Sequence, residues 1–296
     1  MKQHILSVRI PAGVVRTSVN HAARTAGLSQ ALRRKLHTDG FVIVNGRPAD
    51  WTAPLFGGDA LDLFLPPKRD IEPSPLSDGL SLSIAFEDEH FIVVDKPAGI
   101  LMHPTARVRS GTLANALVAR FDERGEAASF HPIGRLDRNT SGLVVIAKSA
   151  AVQHACRPAK FAMTKVYTAM VEGIFPEAPT SVRWPIARKE TSIIERACRP
   201  GGKFAHTDFT RIAVIDDACS VVSCRLHTGR THQIRVHAAQ LGFPLLGDDM
   251  YGGGNERIDR QALHAARIDF VHPVTGRRIS LAAGLPADMA KLYTEI

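Results

Sequence analysis

A short run of prolines constrains this chain more than any other single feature. The stretch Leu65-Pro66-Pro67-Lys68-Arg69-Asp70-Ile71-Glu72-Pro73-Ser74-Pro75 carries four prolines among several charges. Proline lacks the amide hydrogen that a helix interior or a central strand needs, so neither element crosses this stretch. It reads as an extended linker at 69–79 that separates a small domain, 1–68, from a larger one, 80–296. No internal repeat or low-complexity tract breaks either part.

Charge adds a second constraint. The formal net charge is +8, and residues 1–70 hold 10 Lys/Arg against 5 Asp/Glu, while the rest holds 27 against 24. A basic excess concentrated in a small domain points to an anionic partner, nucleic acid first; a charge that only keeps the protein soluble is the alternative. At 45% hydrophobic and 22% charged residues, the chain is not collagen-like, wholly disordered or a disulfide scaffold. The apolar runs are too short to span a bilayer and the start MKQHILSVRIPAG lacks a leader's apolar segment, so a cytoplasmic protein with no membrane partner is expected. The four cysteines form no CxxC pair, which fits reduced thiols and no zinc ribbon.

In the small domain, helices are expected at 19–26 and 29–38, with Gly27 between them, Ser29 as N-cap and Gly40 as terminator. A strand from Phe41 enters the Asn45-Gly46 turn, and another covers 60–65. The second helix presents Arg33, Arg34 and Lys35 as a block, either a phosphate-contacting surface or a solvated face. This order, carried by GLSQALRRKLHTDGFVIVNG and then GGDALDL, resembles the S-four RNA-binding domain. The resemblance implies a small α/β RNA-binding domain in which Arg33, Arg34 and Lys35 sit on structured RNA. One departure is that Thr17 and Ser18 follow Arg16 where that family opens with Arg-Leu-Asp.

The larger domain alternates strands (81–86, 91–95, 142–147, 165–171, 220–226, 268–271) with short helices. One helix opens at Gly111-Thr112-Leu113 and places Leu113, Leu117 and Phe121 on one face. Many strands and few long helices predict an α+β fold on a largely antiparallel mixed sheet. Just before the apolar strand 142–147, Asp137 stands between Arg135 and Arg138 in a loop of turn formers. A carboxylate so placed can serve as nucleophile or base, or merely cap its own turn; residue types alone leave both open.

GRLDRNTSGL at 134–143, DKPAGILMHP at 95–104, TKVYTAMVEG at 164–173, RLHTGRTHQIRVH at 225–237 and LHAARIDFVHP at 263–273 together resemble the RluA-type pseudouridine synthases over nearly all of 80–296. The resemblance implies the pseudouridine synthase fold and an isomerase that turns uridine in RNA into pseudouridine without a cofactor or metal. A stacked uracil hides its glycosidic bond, so such an enzyme flips the nucleotide out. Asp137 then matches the aspartate that initiates glycosidic cleavage, by attack on the anomeric carbon or by removing a ribose proton. Tyr167 matches the tyrosine that packs on the flipped base and helps remove a proton. Arg235 matches the arginine that pairs with the aspartate, expected as a two-pronged contact, and Leu263 matches the apolar floor.

Arg135, Arg138, Arg230, Thr231 and His232 are expected on RNA, with His103 at the cleft's border. On their own, Tyr167 could be core and Arg235 a structural ion-pair member. Where most of the family has histidine before Arg-Leu-Asp, this chain has Gly134, as in the related small-subunit-type branch. An appended S-four domain suggests ribosomal RNA of the large subunit, with tRNA as the other RNA, and a monomer is expected. A catalytically silent RNA-binding or ribosome-assembly protein and a base-releasing nucleosidase are the competing classes. His227, His232 and His237 recur every five residues, a spacing that shares neither a strand face nor a helix face, so no metal is expected from it.

Overall fold

The computed structural model describes residues 3–65, 71–156 and 161–294. The chain divides after Asp70 into two compact units. Residues 66–70 of the proline-rich stretch lie outside the described residues. Residues 71–79, expected as linker, belong instead to the larger unit. Leu76 is buried in that unit's main core, Ser74 Oγ accepts the Gly111 amide at 3.0 Å, and the Ser77 amide donates to the Gly111 carbonyl at 3.2 Å. Prolines there block regular ladders, but they leave serine side chains and an apolar residue free to dock.

In the small unit, helix Val19–Thr25 starts where Ser18 Oγ accepts the His21 amide, and helix Gln30–Asp39 where Ser29 Oγ accepts the Leu32 amide. Four antiparallel strands follow the order Gln3–Arg9, Ala60–Leu65, Phe41–Val44, Arg47–Ala49. Asn45 and Gly46 both take positive φ, 51° and 77°, which a tight two-residue hairpin requires. Along Ala60–Leu65 the alternate residues Leu61, Leu63 and Leu65 point inward and pack with Val19, Ala23 and Leu36. The strand Gln3–Arg9 was not expected from sequence, because a register shift between His4 and Leu6 breaks its alternation.

The larger unit is built on one sheet that runs Thr180–Val182, Thr207–Asp216, Cys219–Leu226, Met163–Glu172, Leu263–Val271, Ser141–Ala147, Phe91–Lys96, Ser83–Glu87. Among the described residues, its pairings are antiparallel except one. Ser141–Ala147 meets Leu263–Val271 in parallel, through Ser141 with His264 and Gly142 with Ala265. Helix Leu113–Glu123 carries a capping box between Thr112 and Asn115, and buries Leu113, Leu117 and Phe121 in the cluster that holds Ile92, Val94, Val144 and Ile146. This is an α+β, mostly antiparallel architecture.

The parallel junction depends on glycine. At Gly142 φ is +107°, and a Cβ would lie 2.5 Å from the backbone nitrogen and carbonyl oxygen of Ala265. Gly142→Ala is therefore expected to lower stability by about 3 kcal/mol, as neither backbone can retreat without opening the sheet. Urea denaturation checks this; a midpoint unchanged from wild type would contradict the close approach.

Candidate active site

The loop that feeds Ser141–Ala147 carries Asp137, whose side chain the sequence left as either a cap or a reactive carboxylate. The Thr140 amide closes the turn onto the Asp137 carbonyl at 3.1 Å, leaving the side-chain carboxylate out of the turn. That carboxylate faces Arg235, with Nη1 3.5 Å from Oδ2, and His232, with Nε2 3.9 Å from the same oxygen. Asp137, Tyr167, Leu263, Arg235, His232 and Arg230 all line one cleft of about 130 Å³. Arg135 and Thr231 line it too.

The loop is held from below by buried polar groups. Lys96, fully buried, donates to the carbonyls of Pro97, Ile100 and Arg138 at 2.8, 2.9 and 3.0 Å. Arg260 reaches the Asn139 carbonyl at 3.1 Å and is itself gripped by Asp288 through two contacts of 2.6 and 2.9 Å. Gln261 Nε2 donates to Thr140 Oγ1 at 3.3 Å. Three carbonyls match the three protons of an ammonium group, while burial pulls Lys96 down to about 7 and the Asp137 charge opposes the pull.

Between pH 7 and 10.5 the unfolded chain holds a proton that folded Lys96 releases, so this residue's burial penalty eases as pH rises through that window. Lys96→Met is expected to flatten that rise in stability. Turnover in the variant should fall roughly 10-fold or more, because the Arg138 carbonyl loses its donor next to Asp137. Denaturation at stepped pH, paired with single-turnover rates, tests both; identical pH slopes in the two proteins would rule the account out.

Arg235 departs from expectation. Its two-pronged partner is the buried Asp248, with Nε to Oδ2 and Nη2 to Oδ1 both at 2.7 Å, and Asp137 receives only the remaining Nη1. Geometry explains it: Arg235 sits in helix Gln233–Gln240, whose described face packs inward, and Asp248 completes the buried fork. Tyr251 adds its ring, 4.9 Å from the guanidinium carbon. Asp248 and Tyr251 lie between the motifs, so no spacing pointed to them.

His232, expected on RNA, is used within the protein. The Arg196 amide donates to Tyr251 Oη at 2.9 Å, and the same oxygen pairs with His232 Nδ1 at 2.8 Å. The other ring nitrogen, Nε2, points toward Asp137. Burial, with Arg235 and Arg196 adding to it and Asp137 opposing, holds the ring below its ordinary value and hence neutral. Arg138 is exposed, and its Nε donates to the Gly99 carbonyl at 2.8 Å. His103 stands edge-on to Phe130 at 4.8 Å and is kept neutral by burial and by Arg135. In the small unit, Arg34 is exposed, whereas Arg33 is engaged with Asn20 and the Leu28 carbonyl at 2.8 and 3.1 Å.

Tyr167 is nearly buried on strand Met163–Glu172, and burial together with the Asp137 charge pushes its phenol far above the ordinary tyrosine range. The resting group is a neutral ring surface. Two residues earlier on the same strand face, Lys165 also lines the cleft, its amine held below the ordinary value by burial. A Cβ on residue 134 would lie 2.5 Å from Lys165 Nζ. The glycine that breaks the expected pattern thus makes room for a lysine that sequence reasoning passed over.

Residues 90–240 match the RNA pseudouridylate synthase family. The uncharacterized RNA pseudouridine synthase YhcT of Bacillus subtilis is 41% identical over 215 residues, 71% of each chain. Ribosomal large subunit pseudouridine synthase D of Zymomonas mobilis is 37% identical, with 81% of each chain covered. Among solved structures, human RNA pseudouridylate synthase domain containing 1 is similar with a TM-score of 0.56 and 26% identity, covering 72% of this chain and 86% of that one. The chain belongs to the RNA pseudouridylate synthase family and is an isomerase of that kind, acting on RNA.

Proposed function

We propose that the enzyme converts uridine to pseudouridine in large-subunit ribosomal RNA, with Asp137 starting the reaction on a nucleotide flipped into the cleft. The observation that carries the catalytic part is the Asp137 carboxylate itself, free of its own turn, aimed by Arg235 and set beside Tyr167. Oδ2 meets Arg235 and His232, which leaves Oδ1 for ribose. Oδ1 either bonds to C1′ as the C1′–N1 bond breaks, or takes the C2′ proton as that bond breaks. Either way uracil departs with the electron pair and turns. In the first route C5 then attacks C1′ as the Asp137–C1′ ester bond breaks; in the second C5 bonds to C1′ as Asp137 returns its proton to C2′. The C5 proton then passes to solvent and N1 takes one up, so the product is an isomer of the substrate.

Tyr167 supplies the surface on which the base stacks, a contact worth roughly 1–3 kcal/mol, and Leu263 closes the floor. Since its phenol holds its proton, Tyr167 acts in the resting enzyme by packing. The small unit, on its S-four-like order of elements, docks the RNA through exposed Arg34 and its neighbours. The target class follows relatives named as large-subunit synthases, such as the Zymomonas enzyme. A monomeric, cytoplasmic enzyme fits this work, and no helix among the described residues is long and apolar enough to cross a membrane.

Mapping pseudouridines in ribosomal and transfer RNA from a deletion strain and its complemented parent tests the target. A large-subunit position that vanishes and returns supports the reading; loss confined to tRNA overturns it.

A further inference from the structure

Away from the catalytic cleft, three neighbouring strands bring donors to one point on a sheet face. His206 and Asp208 lie two residues apart at the start of Thr207–Asp216, so their side chains share a face. His227 follows Cys219–Leu226 and donates its amide to the His206 carbonyl at 3.1 Å, which places it opposite His206 on the ladder. Ser181, opposite Asp208 on Thr180–Val182, completes the row. Register alone thus gathers residues that sequence spacing scattered.

The side chains converge. His227 Nε2 lies 2.6 Å from Asp208 Oδ2 and His206 Nε2 3.1 Å from Oδ1, while Ser181 Oγ is 3.0 Å from His206 Nε2. One nitrogen from each histidine and a carboxylate oxygen all lie within 4.8 Å of one another. Ligands around a tetrahedral ion with bonds of about 2.0–2.1 Å stand about 3.3 Å apart, so small side-chain shifts suffice to admit one. His227 is exposed, which gives it the freedom to turn and gives an ion a path in.

We propose that His206, Asp208 and His227 form a binding site for a zinc-class divalent transition-metal ion. Two imidazoles and one carboxylate suit zinc, cobalt or nickel, whereas magnesium and calcium prefer all-oxygen shells. Both histidines bind as neutral rings through Nε2, their protons moving to Nδ1, and Asp208 exchanges its two hydrogen bonds for a metal bond. Water or Ser181 takes the fourth position. The site lies at the root of the loop that lines the cleft. The His206 amide donates to Thr228 Oγ1 and Gln233 Nε2 donates to the His206 carbonyl, both at 2.9 Å. A bound ion ties the start of that loop to strand Thr207–Asp216.

The test uses the full chain, stripped with a chelator and desalted. Calorimetric titration with zinc and the visible spectrum with cobalt are expected to show one equivalent bound with tetrahedral bands. Asp208→Ala and His227→Ala should each weaken binding roughly 100-fold, while His154→Ala, at an exposed histidine elsewhere, should not. Zinc should raise the melting temperature of wild type and of His154→Ala only. His227→Ala removes an exposed ring and tests the site even if Asp208→Ala folds poorly. Absence of a stoichiometric site in wild type, or equal affinity in His227→Ala, overturns the proposal.

Discussion

Asp137→Asn is expected to cut turnover at least about 10⁴-fold while leaving fold and RNA affinity in place. Asparagine keeps the shape of the side chain but cannot bond to C1′ or accept a ribose proton. The substitution also leaves no buried charge stranded, because Arg235 keeps both prongs on Asp248. Stability should stay within about 0.5 kcal/mol of wild type. The assay is tritium release from uridine labelled at C5 of RNA, run under single turnover beside a filter-binding measurement. Release within tenfold of wild type would remove Asp137 from the chemistry. Free uracil from the wild-type enzyme would show a nucleosidase in its place.

Asp248→Asn should have the second largest effect, and on two quantities at once. Breaking one side of a buried, two-pronged ion pair costs about 3–5 kcal/mol, since the guanidinium stays buried. Arg235 then has one carboxylate left within reach, Asp137. Turning its fork onto both oxygens of Asp137 would occupy Oδ1, the atom the reaction needs, and turnover should drop roughly 100-fold. Urea denaturation reads the first effect and single-turnover tritium release the second. A variant as stable as wild type would mean that the buried pair contributes little. One that is destabilised yet equally fast would separate Arg235's support by Asp248 from the aiming of Asp137.

What could be read from sequence depended on whether the signal was local. The apolar strand Ser141–Ala147, the cap at Ser29 and the helix face of Leu113, Leu117 and Phe121 depend on neighbours in the chain, and all three were legible. Helix Gln233–Gln240 was not. Gln233 through Ala238 are all buried, so no polar face alternates with an apolar one to reveal its period. Strand Thr207–Asp216 escaped because two register shifts interrupt it. Asp137, Tyr167, Arg235 and Leu263 were found through motifs and do share a cleft. Asp248 and Arg260 were missed because their importance lies in partners 13 and 121 residues away. The Tyr251 partner of His232 was not legible because it is reached only through the fold.

The parallel junction sets a schedule. Asp137 precedes a strand whose parallel neighbour begins at Leu263, and its loop takes a hydrogen bond from Arg260 across 121 positions. Contacts so distant in sequence form late, since the intervening chain must first be ordered. During synthesis, a polypeptide arrested before residue 260 holds the aspartate, the tyrosine and Arg235, yet has neither the floor at Leu263 nor the Arg260 brace. Such a fragment lacks both, so turnover is expected only when nearly the whole chain has been made and closed.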